Sequence, residues 1–429
     1  MSTSMMIKSL RFCASVALVG VLAGHASAVV LFSDNFNIDS SPSWTKNAAP
    51  AANAGTQTAE FAFNYSSYGI PAAPGSADQI GLRLRANVPI VGGNEVTTRP
   101  AGVLSGLSMS PTGQSFGTNY KMTVYAWSNY FGAPNAQGLA DNTNSEGGTA
   151  NVLFAAGTSG TVPLAAGNPN AIASANMDGI AFATTGDGGI VNDYRVFPKA
   201  ATAVPGTTAN VYAAAPAGSA TATSNADAFY TAKFLSTTAP VEQQALATAE
   251  YGADAFNPML GNTQAGSFGF AWHKVVVTKL GNIVSWDIDD NRIAQYDASA
   301  LTLGGSNIAI GVSDVNTSTA RHPSLVFTLF DNLQVEDVVA AGVAGDYNNN
   351  GKVDAADYVL WRNGGPLQNE VNTPGTVDPT DYDAWKARFG NTSGAGSLSG
   401  SSSVPEPTSL LLVVFSAGGY CCLPKRKRS

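Results

Sequence analysis

The densest chemistry in the chain is a run of Asp and Asn around a single glycine, "GDYNNNGKVDAADYVLW", residues 345–361. Counted from Asp346, positions 1, 3, 5, 9 and 12 are Asp346, Asn348, Asn350, Asp354 and Asp357, and Gly351 falls at position 6. A chain that sets oxygens on alternate residues and turns sharply at its sixth curls its donors around one point. A hard cation such as Ca2+ takes roughly six to eight oxygens. Carboxylates, amides, the Lys352 carbonyl and water would supply them here. An ordinary Asx-rich turn explains the residue types but not five donors in register with the glycine. The spacing predicts a Ca2+ site on Asp346, Asn348, Asn350, Lys352, Asp354 and Asp357.

These offsets are those of an EF-hand-type loop, and "DYVLWRNGG" continues it as a short helix. Twenty-four residues on, "VDPTDYDAWKARFG" repeats the unit: Val353, Asp354, Asp357, Tyr358 and Trp361 recur as Val377, Asp378, Asp381, Tyr382 and Trp385. The paired loop-and-helix unit resembles a type I dockerin module over residues 346–390. The second loop departs from that pattern, with Glu370, Asn372 and Pro374 at positions 1, 3 and 5. Glu370, Asn372, Thr376, Asp378 and Asp381 are therefore expected to form a weak second calcium loop, or none. The resemblance implies a cohesin-like protein partner read by positions 10 and 11, here Ala355-Ala356 and Pro379-Thr380. A calcium-stabilised spacer is the alternative.

Other chemistry is thin. Asp287 and Asp289 in "WDID" would lie on one face of a strand, roughly 7 Å apart at the backbone, and paired carboxylates are what glycoside hydrolysis needs. However, Asp289-Asp290-Asn291 also reads as a hairpin turn. His273 and His322 have no Gly-x-Ser-x-Gly or zinc-type spacing beside them. Asp187 and Asp193 flank a Gly-rich turn that suits calcium, sugar or simply a turn. Tyr65 and Tyr68 are candidates for stacking on sugar rings or for a buried face. No catalytic residue is assigned, and a glycoside hydrolase is the runner-up to a non-enzymatic reading.

The elements that position these residues are mostly strands. "YKMTVYAW" alternates faces, and "HKVVVTKLGNIVSWDIDDNRIAQY" reads as strand, turn at Leu280-Gly281-Asn282, strand, turn, strand. "SNIAIGVSD" and "SLVFTLFDNLQVEDV" add two more. The best helical candidate in residues 29–338 is the short "VEQQALATAEY". Many strands without crossover helices predict a mainly β, antiparallel sandwich. "LFSDNF", "FAWHKVVVTKLGNIVSWDIDDNRI" and "LFDNLQVED" resemble a concanavalin A-like, laminin-G-like jelly roll. That resemblance implies that the first and last strands pair at a sheet edge and that Trp272-His273 opens the strand before the central hairpin. Residues 61–76 and 184–197 have no place in it.

Both ends read as sorting signals. Lys8 and Arg11, an apolar stretch and Ala26-Ser27-Ala28 form a signal peptide over residues 1–28, cleaved after Ala28. At the other end, Val404-Pro405-Glu406-Pro407, a 14-residue apolar segment and four basic residues resemble a PEP-CTERM sorting signal. That implies an exosortase-like membrane protease as partner, transient membrane anchoring and a destination at the bacterial cell envelope. Residues 391–403 form a Gly/Ser tether spanning on the order of 20 Å.

Without the two end segments, 16 Lys and Arg face 29 Asp and Glu. So acidic a surface argues against nucleic acid as a partner. All three cysteines lie in those end segments, so the trimmed chain has no thiol chemistry. The organisation expected is signal peptide 1–28, sandwich 29–338, calcium module 339–390, linker 391–403 and sorting signal 404–429. The function expected is an exported surface or matrix protein with a polysaccharide ligand. A purely structural envelope protein stands as a further alternative.

Overall fold

A computed structural model describes residues 28–49, 57–86, 88, 90–91, 94–95, 105–130, 150–164, 177–186, 193–199, 211–214, 222–243, 245–246, 263–314, 323–338, 343–371, 373 and 375–392. The chain divides into two compact units, Met1–Val339 and Ala340–Ser429.

The first unit is an antiparallel β-sandwich. Its larger, 8-stranded sheet has the order β14-β13-β12-β8-β16-β4-β3, with β1 also pairing β16. These are Asn291–Asp297, Ile283–Ile288, Trp272–Leu280, Asn119–Tyr130, Val326–Asp337, Ile80–Arg85 and Thr58–Asn64, and β1 is Val30–Asp34. The 6-stranded sheet runs β11-β10-β9-β15-β7-β2, that is Tyr194–Pro198, Ile180–Thr185, Ala150–Thr158, Asn307–Asp314, Ser105–Pro111 and Trp44–Ala49. β5 (Ile90–Val91) and β6 (Asn94–Glu95) form a separate ribbon.

Burial explains the sequence patterns. In β8 and β12, Tyr120, Met122, Val124, Ala126, Val275 and Val277 point inward and are buried, while Lys121, Thr123, Tyr125, Lys274 and Val276 keep contact with solvent. Such alternation is what a sheet with one open face selects. β10 and β11 are buried along their whole length, because Leu164 and Met177 cover the outer face with Ala181, Ala183 and Phe197. Between the sheets Trp286 stacks on Phe182 at 5.3 Å and meets Phe154 at 6.3 Å, and Phe154 meets Phe330 edge-on at 6.1 Å.

The expected hairpins are present. β12 and β13 join through Gly281-Asn282, with Gly281 at φ 56°. β13 and β14 join through Asp289-Asp290, both at positive φ (49° and 62°). Two central residues with positive φ give the twist that a two-residue hairpin needs. Asn291 opens β14 rather than belonging to the turn.

The first and last strands do pair, Phe32 with Val335 and Asp34 with Leu333, and β1 has no second partner strand among the described residues. β16 lies inside the sheet, between β8 and β4. β4 takes the Thr328–Phe330 part of its length, and β1 follows on the same flank beyond the irregularity between Asp331 and Gln334. Trp272 does open β12.

Residues 241–243 and 245–246 are helical. A further short helix, α1 (Ala228–Thr231), is capped by Asp227. Of the unplaced stretches, residues 61–64 end β3, and Tyr65 and Ile70 then pack with Trp127, Phe327 and Leu329 on the outer face of the larger sheet.

In the second unit, two helices carry the repeat: α2, Ala355–Arg362, and α3, Pro379–Arg388. Each has an Asp N-cap and a reciprocal capping box, Asp354 with Asp357 and Asp378 with Asp381. Among the described residues no helix of the chain is long and apolar enough to cross a membrane.

Candidate functional site

In the first loop the donors converge through backbone bonds. Asp346 accepts from the N–H of Asn350 (3.1 Å) and Gly351 (2.7 Å). Asp357 accepts from Asn348 N–H (3.0 Å) and Asp354 N–H (2.7 Å). Asn348 and Asn350 side chains accept from Asn350 N–H and Lys352 N–H. Gly351 has φ 86°, the left-handed conformation that lets the loop turn back.

Asp346 and Asp357 are 1% and 0% exposed, and among the described residues no Lys, Arg or His pairs with either. Two carboxylates buried together without a counter-charge are costly. The oxygen-only donor set fits a hard cation that would supply that charge. Among the described residues no three His, Cys, Asp or Glu side chains gather as a metal cluster. The side-chain oxygens of Asn348 and Asn350 lie in the same loop as the two buried carboxylates.

The second loop differs. Glu370 accepts from Gly375 N–H, and Asp381 accepts from Asp378 N–H at 2.9 Å. Glu370 Oε1 and Asp381 Oδ1 are buried without a partner, and Asp381 is 0% exposed. Asp378 bonds Thr380 and Thr373, and the Thr380 bonds hold its pKa below the usual carboxylate value. Thr376 lies in the exposed part of the loop. Asn372 and Pro374 are outside the described residues.

Four rings lie between the repeats. Tyr358 meets Trp385, and Trp361 meets Tyr382, both at 5.2 Å. Trp361 Nε1 donates to the Asp378 carbonyl at 2.9 Å, and Trp385 Nε1 donates to the Asp354 carbonyl at 2.8 Å. Tyr347, fully buried, donates to the Asp381 carbonyl. Burial, and then the Asp381 charge, push its pKa up to about 12.

On the sandwich, the open outer face of the larger sheet holds a cleft of about 460 Å³ lined by Lys121, Thr123, Lys274, Val276, Asp287, Asp290, Gln334 and Glu336. Its charges are paired: Lys121 with Glu336 at 2.7 Å, and Lys274 with Asp290 at 2.6 Å. The hydrogen bond that Lys274 donates to Asp290 holds the Lys274 pKa above its ordinary value. Tyr125 stands opposite Lys274 in the β8–β12 register, on the same face. Sequence reasoning missed this surface, because its residues come from β8, β12, β13 and β16 and no local spacing joins them.

The carboxylates considered for hydrolysis do not form a pair. Asp287 binds Arg292 Nε at 2.7 Å. Asp289 sits in the turn, where it accepts from Lys274 N–H at 2.9 Å and lies 2.6 Å from His273 Nδ1. His273 is buried between Phe234 and Phe268. Asp193 is also buried, accepting from Thr185 Oγ1 and Asn225 N–H, so it anchors the rim rather than facing a ligand. Asp187 and His322 lie outside the described residues. Tyr65 is 0% exposed and Tyr68 packs on Phe327 at 5.2 Å. Tyr65 therefore belongs to a covered apolar patch, and Tyr68, half-buried, packs against its edge.

Another buried acid went unnoticed in the sequence. Asp331 is 0% exposed and accepts from Ser76 Oγ (2.9 Å), Tyr65 OH (3.3 Å) and Asn332 N–H (2.7 Å). Burial raises its pKa to about 6. Residues 1–27 of the expected signal peptide, residues 393–403 of the expected tether, and Val404, Pro405, Glu406 and Pro407 lie outside the described residues. Ala28 is the first described residue.

No family model matches the chain, and no curated protein matches it. Solved structures align to it at low similarity. A Bacillus subtilis protein of unknown function with a galectin-like fold is 8% identical over 72% of this chain and 96% of its own, with a TM-score of 0.31. The potassium-bound Emp46p carbohydrate recognition domain is 10% identical over 72% and 97%, TM-score 0.32. The VIP36 exoplasmic/lumenal domain bound to Ca2+ and Man2 is 10% identical over 73% and 88%, TM-score 0.31. Scores this low carry no argument about the present chain, and the sandwich assignment rests on the strand pairings above.

Proposed function

We propose that this is an exported bacterial surface protein whose sandwich, of the concanavalin A-like jelly-roll kind, binds polysaccharide on the outer face of its larger sheet. The observation that carries the reading is the cleft beside Tyr125. Lys121, Thr123, Lys274, Gln334 and Glu336 offer donors and acceptors in rows along neighbouring strands. Their charges compensate one another, and a tyrosine ring stands beside them. An uncharged chain of hydroxyl groups with apolar ring faces matches that mixture.

The second unit is proposed as a dockerin-like calcium module. Asp346, Asn348, Asn350, the Lys352 carbonyl, Asp354 and Asp357 hold the principal ion, and Glu370 and Asp381 contribute to a weaker site. A cohesin-like partner for this module, and an exosortase-like protease acting at residues 404–407, complete the proposal on motif grounds. So does the exported localisation, which rests on the signal segment.

The test is retention of residues 29–403 on a panel of insoluble polysaccharides, with calcium and with chelator. Specific retention that Tyr125→Ala reduces about tenfold, the loss of one stacking contact of roughly 1 kcal/mol or more, supports the reading. Retention unaffected by Tyr125→Ala and Gln334→Ala moves the ligand elsewhere on the sandwich. Absence of retention on every polymer favours a purely structural envelope role.

A further inference from the structure

We infer that Trp385 and Trp361 are positioning residues for each other's loops, so that each calcium loop is held in shape by the indole of the opposite repeat. This rests on the calcium reading of the module and adds a coupling between its two sites.

Trp385 belongs to α3, yet its Nε1 donates to the carbonyl of Asp354, the N-cap of α2, at 2.8 Å. Trp361 belongs to α2 and donates to the carbonyl of Asp378, the N-cap of α3, at 2.9 Å. Asp354 itself is one hydrogen bond from the first loop's buried acid. Its N–H is bound by Asp357 Oδ2, whose Oδ1 receives Asn348 N–H. The second loop repeats the first link, since the Asp378 N–H is bound by Asp381 Oδ2. A cation that orders either acid therefore also orders the carbonyl on which the other repeat's indole rests.

The indoles have little freedom to leave. Each packs against the tyrosine of the other repeat at 5.2 Å and that of its own at 5.7 Å. An indole N–H aimed at a carbonyl in such a setting is a fixed donor, and its loss leaves the acceptor poorly satisfied. Further bonds run in the same direction. Tyr347 of the first loop donates to the Asp381 carbonyl, and Asn369, just before the second loop, donates to the Asp346 carbonyl at 2.8 Å.

The experiment uses the full chain and Ca2+ alone as probe. Trp385→Phe and Trp361→Phe keep an aromatic ring but remove the donor together with part of the indole's bulk. Tyr358→Phe, whose hydroxyl accepts from exposed Arg362 within the same helix, is the control. Two readouts are taken: calcium affinity by calorimetry, and hydrogen exchange by mass spectrometry on peptides covering residues 346–353 and 370–378 without calcium.

Trp385→Phe is expected to weaken the tighter calcium site about fivefold, the effect of one net hydrogen bond, and to speed exchange in 346–353 while sparing 370–378. Trp361→Phe is expected to do the reverse. Equal effects on both loops, or effects confined to the substituted residue's own loop, would overturn the inference. If the unsubstituted protein takes up no calcium but the crossed exchange pattern appears, the calcium reading fails and the positioning role stands.

Discussion

Between the sheets of the sandwich, Trp286, Phe182, Phe154 and Phe330 fill the interior with apolar volume. In the second unit the buried apolar side chains among the described residues are Tyr347, Val353 and Ala384, and beside them Asp346, Asp357 and Asp381 are buried as well. The sandwich is held by removing hydrocarbon from water, a force that needs no bound ion. So small a unit with so few buried apolar groups has little of that force to draw on. Its shape comes from capping boxes, crossed indole bonds and carboxylates that want a counter-charge. One region specifies its fold by volume and the other by polar satisfaction.

The largest effect expected is on the sandwich. Trp286 is fully buried, and its Nε1 has no hydrogen-bond partner, so Trp286→Ala removes packing and no bond. Such truncations cost about 3–5 kcal/mol. Urea unfolding should show that loss in the sandwich transition while calcium uptake by residues 346–357 stays unchanged. Loss of calcium uptake alongside the sandwich would mean that the two units do not stand on separate forces.

The second prediction addresses the other side of the contrast. A ligand that binds only the folded state stabilises it by about 2.7 kcal/mol at a hundredfold excess over Kd. Calorimetric melting with Ca2+ and then with chelator should move the second unit's transition by about that amount and leave the sandwich transition in place. Asp357→Asn should abolish the shift. If chelator lowers the sandwich transition instead, the cation belongs to the sandwich and the loop assignment falls.

What the sequence disclosed follows the same division. The hairpins at Gly281-Asn282 and Asp289-Asp290 were visible because turn chemistry is local: the residues that permit positive φ lie at the turn itself. The repeat in residues 346–390 was visible because its loop acids bond backbone a few residues away, so spacing carries that part of the geometry. The indole bonds that cross between the repeats had no local signal. Strand order was not visible. β8 lies between β12 and β16, which follow it at long range, and only packing decides that. The outer cleft inherits this opacity, and so does the cluster at Asp331, whose partners Tyr65 and Ser76 are 266 and 255 residues away. Tyr65 and Tyr68 were ambiguous for a related reason. An aromatic near a strand end serves a ligand or a second small core equally well until the surface above it is known.

Asp331 sharpens the comparison most finely, because it is a buried carboxylate in the unit otherwise held by apolar volume. Burial raises its pKa to about 6, with Asp78 adding repulsion and Ser76, Asn332 and Tyr65 opposing the rise by hydrogen bonding. An ordinary Asp in the unfolded chain titrates near 3.9. Between these values the folded sandwich holds a proton that the unfolded chain does not, so acidification stabilises it and the gain is lost as pH rises through about 6. Over roughly pH 7 to 5 the change is about 1 kcal/mol toward the folded state. Asp331→Asn should remove that slope from the sandwich transition in urea. With Ca2+ present, the second unit should respond with the opposite sign, since the metal uptake proposed for it requires ionised ligands and weakens in acid. Parallel pH slopes in the two units, or an Asn variant that keeps the wild-type slope, would show that Asp331 is not the group that titrates.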